Sequence, residues 1–311
     1  MSLTLETFDS VVVNLRERRR RRGSIQHRGK RIRVGLVNNM PDTAVVATER
    51  QFSRLIEDAS GDLEISLGLF TLGNLPRAAE AREAISRSYR PASALAALAP
   101  DAIIVTGAEP KAADLRQEPY WDELGRIFDW AEGGPVSALF SCLAAHAAVL
   151  RRDGVARGRL PTKLSGVFTA DVVAAHELVE GFASRIATPH SRLNGLDEAE
   201  LAAKGYRTLT RLAEAGPDIF VKEAARLLVF LQGHPEYDAD TLAREYRRDM
   251  QRFLSGTTSM PPAAPSNYDI TASGEAPWRS SARLLFCNWL GLIARRKAAA
   301  SPSRAAARWG G

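Results

Sequence analysis

The chain has 311 residues, 45% of them apolar and 25% charged, with a formal net charge of +6. These proportions exclude a wholly disordered or collagen-like chain and fit a globular protein of one or two domains. No run of about 18 consecutive apolar residues stands out as a membrane span. The start, with Glu6 and Asp9, does not read as a secretory signal. The positive charge sits at the two ends. Residues 1–33 hold ten Lys and Arg against three acids, and residues 295–311 hold five against none, so the body between them is mildly acidic. The run Arg18–Arg22 has no accompanying aromatic or Gly-rich pattern. It reads as a solvated terminus rather than a surface for nucleic acid or membrane.

Strand-like and helix-like segments alternate along the chain. Residues 33–37 are an apolar run ending at Asn38, Asn39, Met40 and Pro41, a buried strand with its exit loop. A helix is predicted over 43–58. Residues 63–70 alternate with period two and read as a strand, and 77–88 is helical by propensity. A second buried strand at 101–105 stops at Thr106, Gly107 and Ala108. A helix follows over 121–132, then a third buried strand at 135–140 and a helix starting directly after it over 143–151. Later segments are less regular. Strand character appears at 163–173, 220–221 and 226–231, and helical spacing at 239–254 and 280–296. Residues 189–192 read as an irregular polar knot open to substrate contact. Residues 256–277, with four prolines, read as a loop.

This rhythm predicts an α/β fold with a mostly parallel sheet flanked by helices and an elaborated C-terminal half. No linker divides residues 32–296, which are taken as one domain between a basic N-terminal tail (1–31) and a C-terminal tail (297–311). The active site is expected beyond the carboxyl ends of the strands.

Two cysteines, Cys142 and Cys287, are too few for a disulfide framework, and a reducing cytoplasm is the expected compartment. Cys142 falls where the third buried strand turns into the following helix. A nucleophile there is held above the sheet, and the helix N-terminus offers free N–H groups to a thiolate or a developing oxyanion. A free cysteine is as readily a core residue, and His234 weighs against that. It follows the strand at 226–231, and Glu236, two residues on, points to the same side in an extended stretch. Nucleophile, base and orienting carboxylate are thereby available. His27 lies in the basic tail, His146 reads as a helix-face residue, and His176 and His190 have no assigned role. No set of residues has zinc spacing, and no Gly-rich phosphate loop is present.

Several ordered stretches carry a family resemblance. They are Phe140-Ser-Cys-Leu-Ala-Ala145, Lys163-Leu-Ser-Gly-Val167, Pro189-His-Ser-Arg192, Gly233-His-Pro-Glu-Tyr-Asp238 with Arg248-Asp249, and Trp278-Arg-Ser280 with Leu284 to Leu290. Together, over about residues 32–294, the chain resembles the homoserine O-succinyltransferase family of the class I glutamine amidotransferase-like superfamily. The resemblance implies a flavodoxin-like three-layer fold and a transferase of methionine biosynthesis. Such an enzyme moves an acyl group, succinyl favoured with acetyl as the alternative, from acyl-CoA to the hydroxyl of homoserine or a related hydroxy amino acid. It implies Cys142 as acyl-thioester nucleophile, His234 as proton acceptor and Glu236 as its orienting partner. Lys163, Ser191 and Arg248 match substrate-contacting positions, and Arg192 beside Ser191 is taken with them. Backbone N–H groups of Leu143, Gly107 and Ala108 are implied as the oxyanion hole. Acyl-CoA is a co-substrate; no bound cofactor or metal is implied, and a homodimer is.

Three departures stand out. The family's lysines after the first-loop Met-Pro are replaced by Asp42 and Thr43. The loop before Trp278 differs, and 256–277 is expected to help close the site. The position tied to acyl-chain choice, Gly for succinyl and Glu for acetyl, falls at Lys111, which would pair with the distal carboxylate of a succinyl group or stand as a solvated surface lysine. Two other readings remain at this stage. One is a glutamine amidotransferase-like amidohydrolase, disfavoured because Phe140 and Ala144 replace the glycines of Gly-x-Cys-x-Gly. The other is a non-catalytic binding relative.

Overall fold

The computed structural model describes residues 31–300 apart from 135, 224–225 and 272–273. The basic run Arg18–Arg22, His27 and residues 301–311 lie outside the described residues. Within them, ten strands are β1 Arg31–Val37, β2 Glu64–Thr71, β3 Arg90–Pro91, β4 Ala102–Val105, β5 Ser137–Ser141, β6 Gly158–Val172, β7 Arg185–Gly195, β8 Arg207–Leu212, β9 Gly216–Glu223 and β10 Leu227–Leu231. They form one sheet in the order β3-β2-β1-β4-β5-β10-β9-β8-β6-β7. Pairs from β3 through to β10 are parallel. Those from β10 through to β7 are antiparallel. β10 is therefore the strand at which the two halves meet.

Alternation along each central strand serves two cores. In β10, Leu228 and Phe230 join a cluster with α4 (Trp121–Gly133) and α5 (Leu143–Asp153), while Leu227, Val229 and Leu231 join a second with α1 (Val45–Ala59) and α8 (Arg279–Ala300). Phe230 stacks on Phe220 of β9 at 4.9 Å and 5°, carrying the first core across the parallel–antiparallel seam. Helices on both faces of a mostly parallel sheet give the expected three layers. The shorter helices are α2 (Ala79–Ser86), α3 (Leu95–Leu98) and α6 (Glu198–Ala203), with α7 spanning Thr241–Leu254.

Two expectations are corrected. Residues 189–192 are not an irregular knot but the middle of β7, paired with β6 over Asp171↔Arg185 to Leu164↔Arg192. The inward side chains of that stretch are Thr188, His190 and Arg192, all buried, so period-two alternation is present but written in polar residues. The second correction concerns residues 256–277. The Val167 N–H donates to Ser266 O (2.9 Å) and the Ser266 N–H to Ser165 O (2.8 Å), docking this loop on β6 around Gly166. No described residue of the loop lines the cleft described below. The loop is instead a brace: the Trp278 Nε1–H that follows it donates to Tyr237 O at 3.0 Å from a fully buried ring.

Gly166 has φ +143°, and a β-carbon there would stand 2.1 Å from Ser266 O. Gly166→Ala is therefore expected to lower stability by about 1–3 kcal/mol through strain and loop displacement. Urea unfolding measures the first effect, and faster proteolysis within 256–277 reports the second.

Candidate active site

Parallel register places the chemistry. β5 and β10 pair with Ser141 opposite Leu231, so the chain leaves both strands side by side, as Cys142 on one and Gln232 on the other. The Cys142 N–H donates to Leu231 O at 2.7 Å. Cys142 has φ +51° and ψ −111°, a conformation that costs a non-glycine residue energy and turns its side chain up off the sheet. α5 begins at the next residue, and its first N–H groups have no acceptor within the helix.

His234 is held from two directions. Its N–H donates to Pro189 O of β7 at 2.9 Å, and the preceding Gly233 N–H reaches the buried Asp218 carboxylate at 3.2 Å. Nδ1 of the ring is 2.8 Å from Glu236 Oε1. The Cys142 sulfur lines the same cleft as the ring and acts on its charge. Burial alone would depress the imidazole pKa. The Glu236 carboxylate and the Cys142 sulfur more than offset that and hold it well above its ordinary value. Imidazole and carboxylate are thus hydrogen-bonded, and the sulfur stands in the same cleft. Glu236 Oε2 is buried and has no hydrogen-bond partner.

These groups line an open cleft of about 1030 Å³. Gly107 and Ala108, which follow β4, form one wall. A β-carbon on Gly107 would lie 3.1 Å from the Leu143 backbone nitrogen and 3.0 Å from its Cβ, so glycine keeps the first N–H of α5 open to the cleft. That is what an oxyanion site built from Leu143, Gly107 and Ala108 requires.

Lys163, Ser191 and Arg248 also line the cleft. The two cations share one carboxylate: Lys163 Nζ is 2.7 Å from Asp249 Oδ2, and Arg248 Nε is 2.9 Å from Asp249 Oδ1. Together the three groups leave one net positive charge. Arg192 reaches the cleft wall, but its guanidinium is committed to protein acceptors, namely His190 Nδ1, Asn194 O, Gln232 Oε1 and Ala215 O at 2.7–3.2 Å. Its role is to position these groups. Lys111 is not brought into the cleft. Its side chain is exposed, and its N–H and that of Ala112 are both captured by the buried Glu118 carboxylate at 2.6 Å. Pro110, before it, does line the cleft.

Four residues that sequence reasoning passed over belong here. Tyr237 stacks on the His234 ring at 4.4 Å and donates its hydroxyl to Glu245 Oε1 at 3.0 Å. Glu245 lines the cleft, and its Oε2 has no partner. It lies three residues before Arg248 on α7, a helical spacing that was available in the sequence. Arg157 also faces the cleft. Arg77 does not line the cleft but clamps the first loop, donating to Met40 O (3.1 Å) and to the Asp42 carboxylate (2.9 Å). Asp42 therefore serves loop structure where the family's lysines were expected. Among the described residues, no group of three or more His, Cys, Asp or Glu side chains converges as a metal site would need.

The profile of the family described as homoserine O-succinyltransferase matches residues 10–299. The chain belongs to that family. A homoserine O-succinyltransferase of Methylorubrum extorquens is 46% identical over 303 residues, covering 88% of this chain and 90% of that protein. One from Rhodopseudomonas palustris is 49% identical over 237 residues, covering 76% of this chain and 71% of its own. Members are transferases. Among solved structures, a glutamine amidotransferase of Thermotoga maritima aligns with TM-score 0.56 at 12% identity over 85% of this chain and 98% of its own. A glutamine amidotransferase from Methylobacillus flagellatus aligns with TM-score 0.51 at 12% identity, covering 85% and 95%. These likenesses establish the glutamine amidotransferase-like fold. No helix among the described residues is long and apolar enough to cross a membrane.

His146 also lines the cleft; it is buried with Nε2 2.9 Å from Gln232 Oε1, and burial pushes its pKa down to about 3. His190 is fully buried, does not line the cleft, and its Nε2 lies 3.2 Å from Asp218 Oδ1. Burial lowers its pKa as well. Both histidines are more readily protonated when unfolded, so their contribution is present above about pH 6.5 and is lost as pH falls, for His146 toward about 3. Between pH 7 and 5, His146 alone is expected to account for about 2 kcal/mol of lost stability. Urea unfolding of the protein and of His146→Gln at both pH values checks this, with the variant losing less.

Proposed function

We propose that this protein transfers a succinyl group from succinyl-CoA to the side-chain hydroxyl of homoserine, through a thioester on Cys142, in methionine biosynthesis. The observation that carries this reading is the line Cys142–His234–Glu236 at the ends of two adjacent parallel strands, in a chain of this family.

The chemistry follows from charge. A sulfur anion beside an imidazolium attacks the thioester carbonyl. The developing oxyanion faces the N–H groups of Leu143, Gly107 and Ala108. Collapse breaks the bond to the CoA sulfur, which takes the His234 proton and departs as the thiol. Cys142 is then an uncharged thioester, and one of the two influences raising the His234 pKa is gone. The neutral imidazole, still oriented by Glu236, accepts the proton of the homoserine hydroxyl as that oxygen attacks. A second collapse frees the ester, and the proton returns the Cys142–His234 pair to its starting charge. Two half-reactions through one sulfur give ping-pong kinetics.

The amino-acid end of the acceptor suits the far side of the cleft. Lys163 and Arg248, with one net charge between them and Asp249, match an α-carboxylate, and Ser191 adds a hydroxyl. Glu245 Oε2, lacking a partner, matches an α-ammonium. The same reading takes the working unit as a homodimer in the cytoplasm with no bound cofactor. It also keeps residues 32–296 as the acyltransferase domain.

Incubation with succinyl-CoA, followed by intact-mass measurement, is expected to show one added succinyl group that Cys142→Ala cannot acquire and that homoserine discharges. His234→Ala is expected to lower turnover by about 10²–10⁴-fold. Release of ammonia from glutamine, with no acyl adduct, would contradict the reading.

A further inference from the structure

Four cations face the cleft, and three of them are spoken for. Lys163 and Arg248 share Asp249, and Arg192 is tied to four protein acceptors. Arg157 differs. It stands between α5 and β6, donates from Nη2 to Ala113 O at 3.2 Å, and forms no ion pair within 4.0 Å among the described residues. The nearby carboxylates are occupied elsewhere, Glu118 by the N–H groups of Lys111 and Ala112 and Asp114 by Arg116. The guanidinium is half-buried, and that desolvation pulls its pKa down, while the Cys142 sulfur is among the charges that act on it. A partly dehydrated guanidinium with free donors beside a nucleophile is a site for an anion.

Its position separates it from the amino-acid end. Arg157 directly precedes Gly158, which pairs with Gly195, whereas Lys163 directly precedes Leu164, which pairs with Arg192. Three residues of β7 put about 10 Å between the two points. Lys163 is tied to Asp249, whereas Arg157 is tied, among the described residues, only to Ala113 O. We propose that Arg157 selects the acyl donor by pairing with the free carboxylate of a dicarboxylic acyl group whose other end is on Cys142, the task that the family resemblance gave to Lys111. This rests on the acyl-transfer reading above and adds the residue that distinguishes a succinyl from an acetyl chain.

The test is the donor ratio. Arg157→Gln is expected to lower kcat/KM for succinyl-CoA about 30-fold or more while leaving that for acetyl-CoA within about threefold and the homoserine KM unchanged. Arg157→Lys, which keeps the charge but not the fork, is expected to fall between; it also decides the matter should the glutamine variant fold poorly. A readout independent of turnover is protection of Cys142 from iodoacetamide. Succinate is expected to slow alkylation of the wild type more than acetate does, and this difference is expected to vanish in Arg157→Gln. An equal fall with both donors overturns the assignment, as does a shift in the ratio produced by Lys111→Ala and not by Arg157→Gln. A wild type that forms no succinyl adduct on Cys142 overturns the acyl-transfer reading itself. An adduct that forms with the donor ratio unchanged in the variant overturns the role of Arg157 alone.

Discussion

The hydrogen bond from the Cys142 N–H to the Leu231 carbonyl ties the end of one parallel strand to the end of its neighbour. Everything at the site is referred to that link. It extends the β5–β10 register one residue past the sheet, at the point where β5 gives way to α5. Cys142 is thereby fixed in a positive-φ conformation that packing must maintain. Three residues further along β10's exit, the ring of His234 meets the sulfur. A slip of one residue would turn every inward side chain of β10 outward and would exchange its two cores. The apolar alternation of β10 and the placement of the catalytic pair are therefore one constraint.

The antiparallel half supports that arrangement from behind. β7 receives the His234 N–H through Pro189 and supplies His190 and Arg192 to a buried polar layer with Asp218, Gln232 and His146. Such a layer is costly unless its members are paired, and the pairing here makes the His234 loop rigid. Tyr237 adds a second brace. It is stacked on the imidazole, hydrogen-bonded to Glu245, and held from below by Trp278. The chain after β10 thus places three linked groups within four residues: the His234 ring, the Glu236 carboxylate bonded to it, and Tyr237, which joins the ring to α7.

Apolar runs and period-two alternation made β1, β2, β4, β5 and β10 visible, along with the strand-end positions of Cys142 and His234. The pattern faded where burial is polar. In β7 the inward face is Thr188, His190 and Arg192, so a hydrophobicity argument finds no strand there. It also faded where side-chain direction matters more than spacing. Lys111 stands at a position that suggests donor choice, yet Glu118 draws in its backbone and leaves its side chain in solvent. Arg157 lies in a Gly- and Arg-rich connection with no periodic signal, and only the fold shows that it faces the sulfur's cleft. Asp42 looked like a lost cation in the first loop, but it is the partner of Arg77.

The central claim is that Glu236 and the Cys142 sulfur together hold a proton on the buried His234 ring, and NMR of that ring tests it directly. The account predicts that the ring stays protonated well above pH 6.5, and that methylation of the Cys142 sulfur lowers its titration. A ring that titrates near 6.5 and does not respond to modification of Cys142 would contradict it.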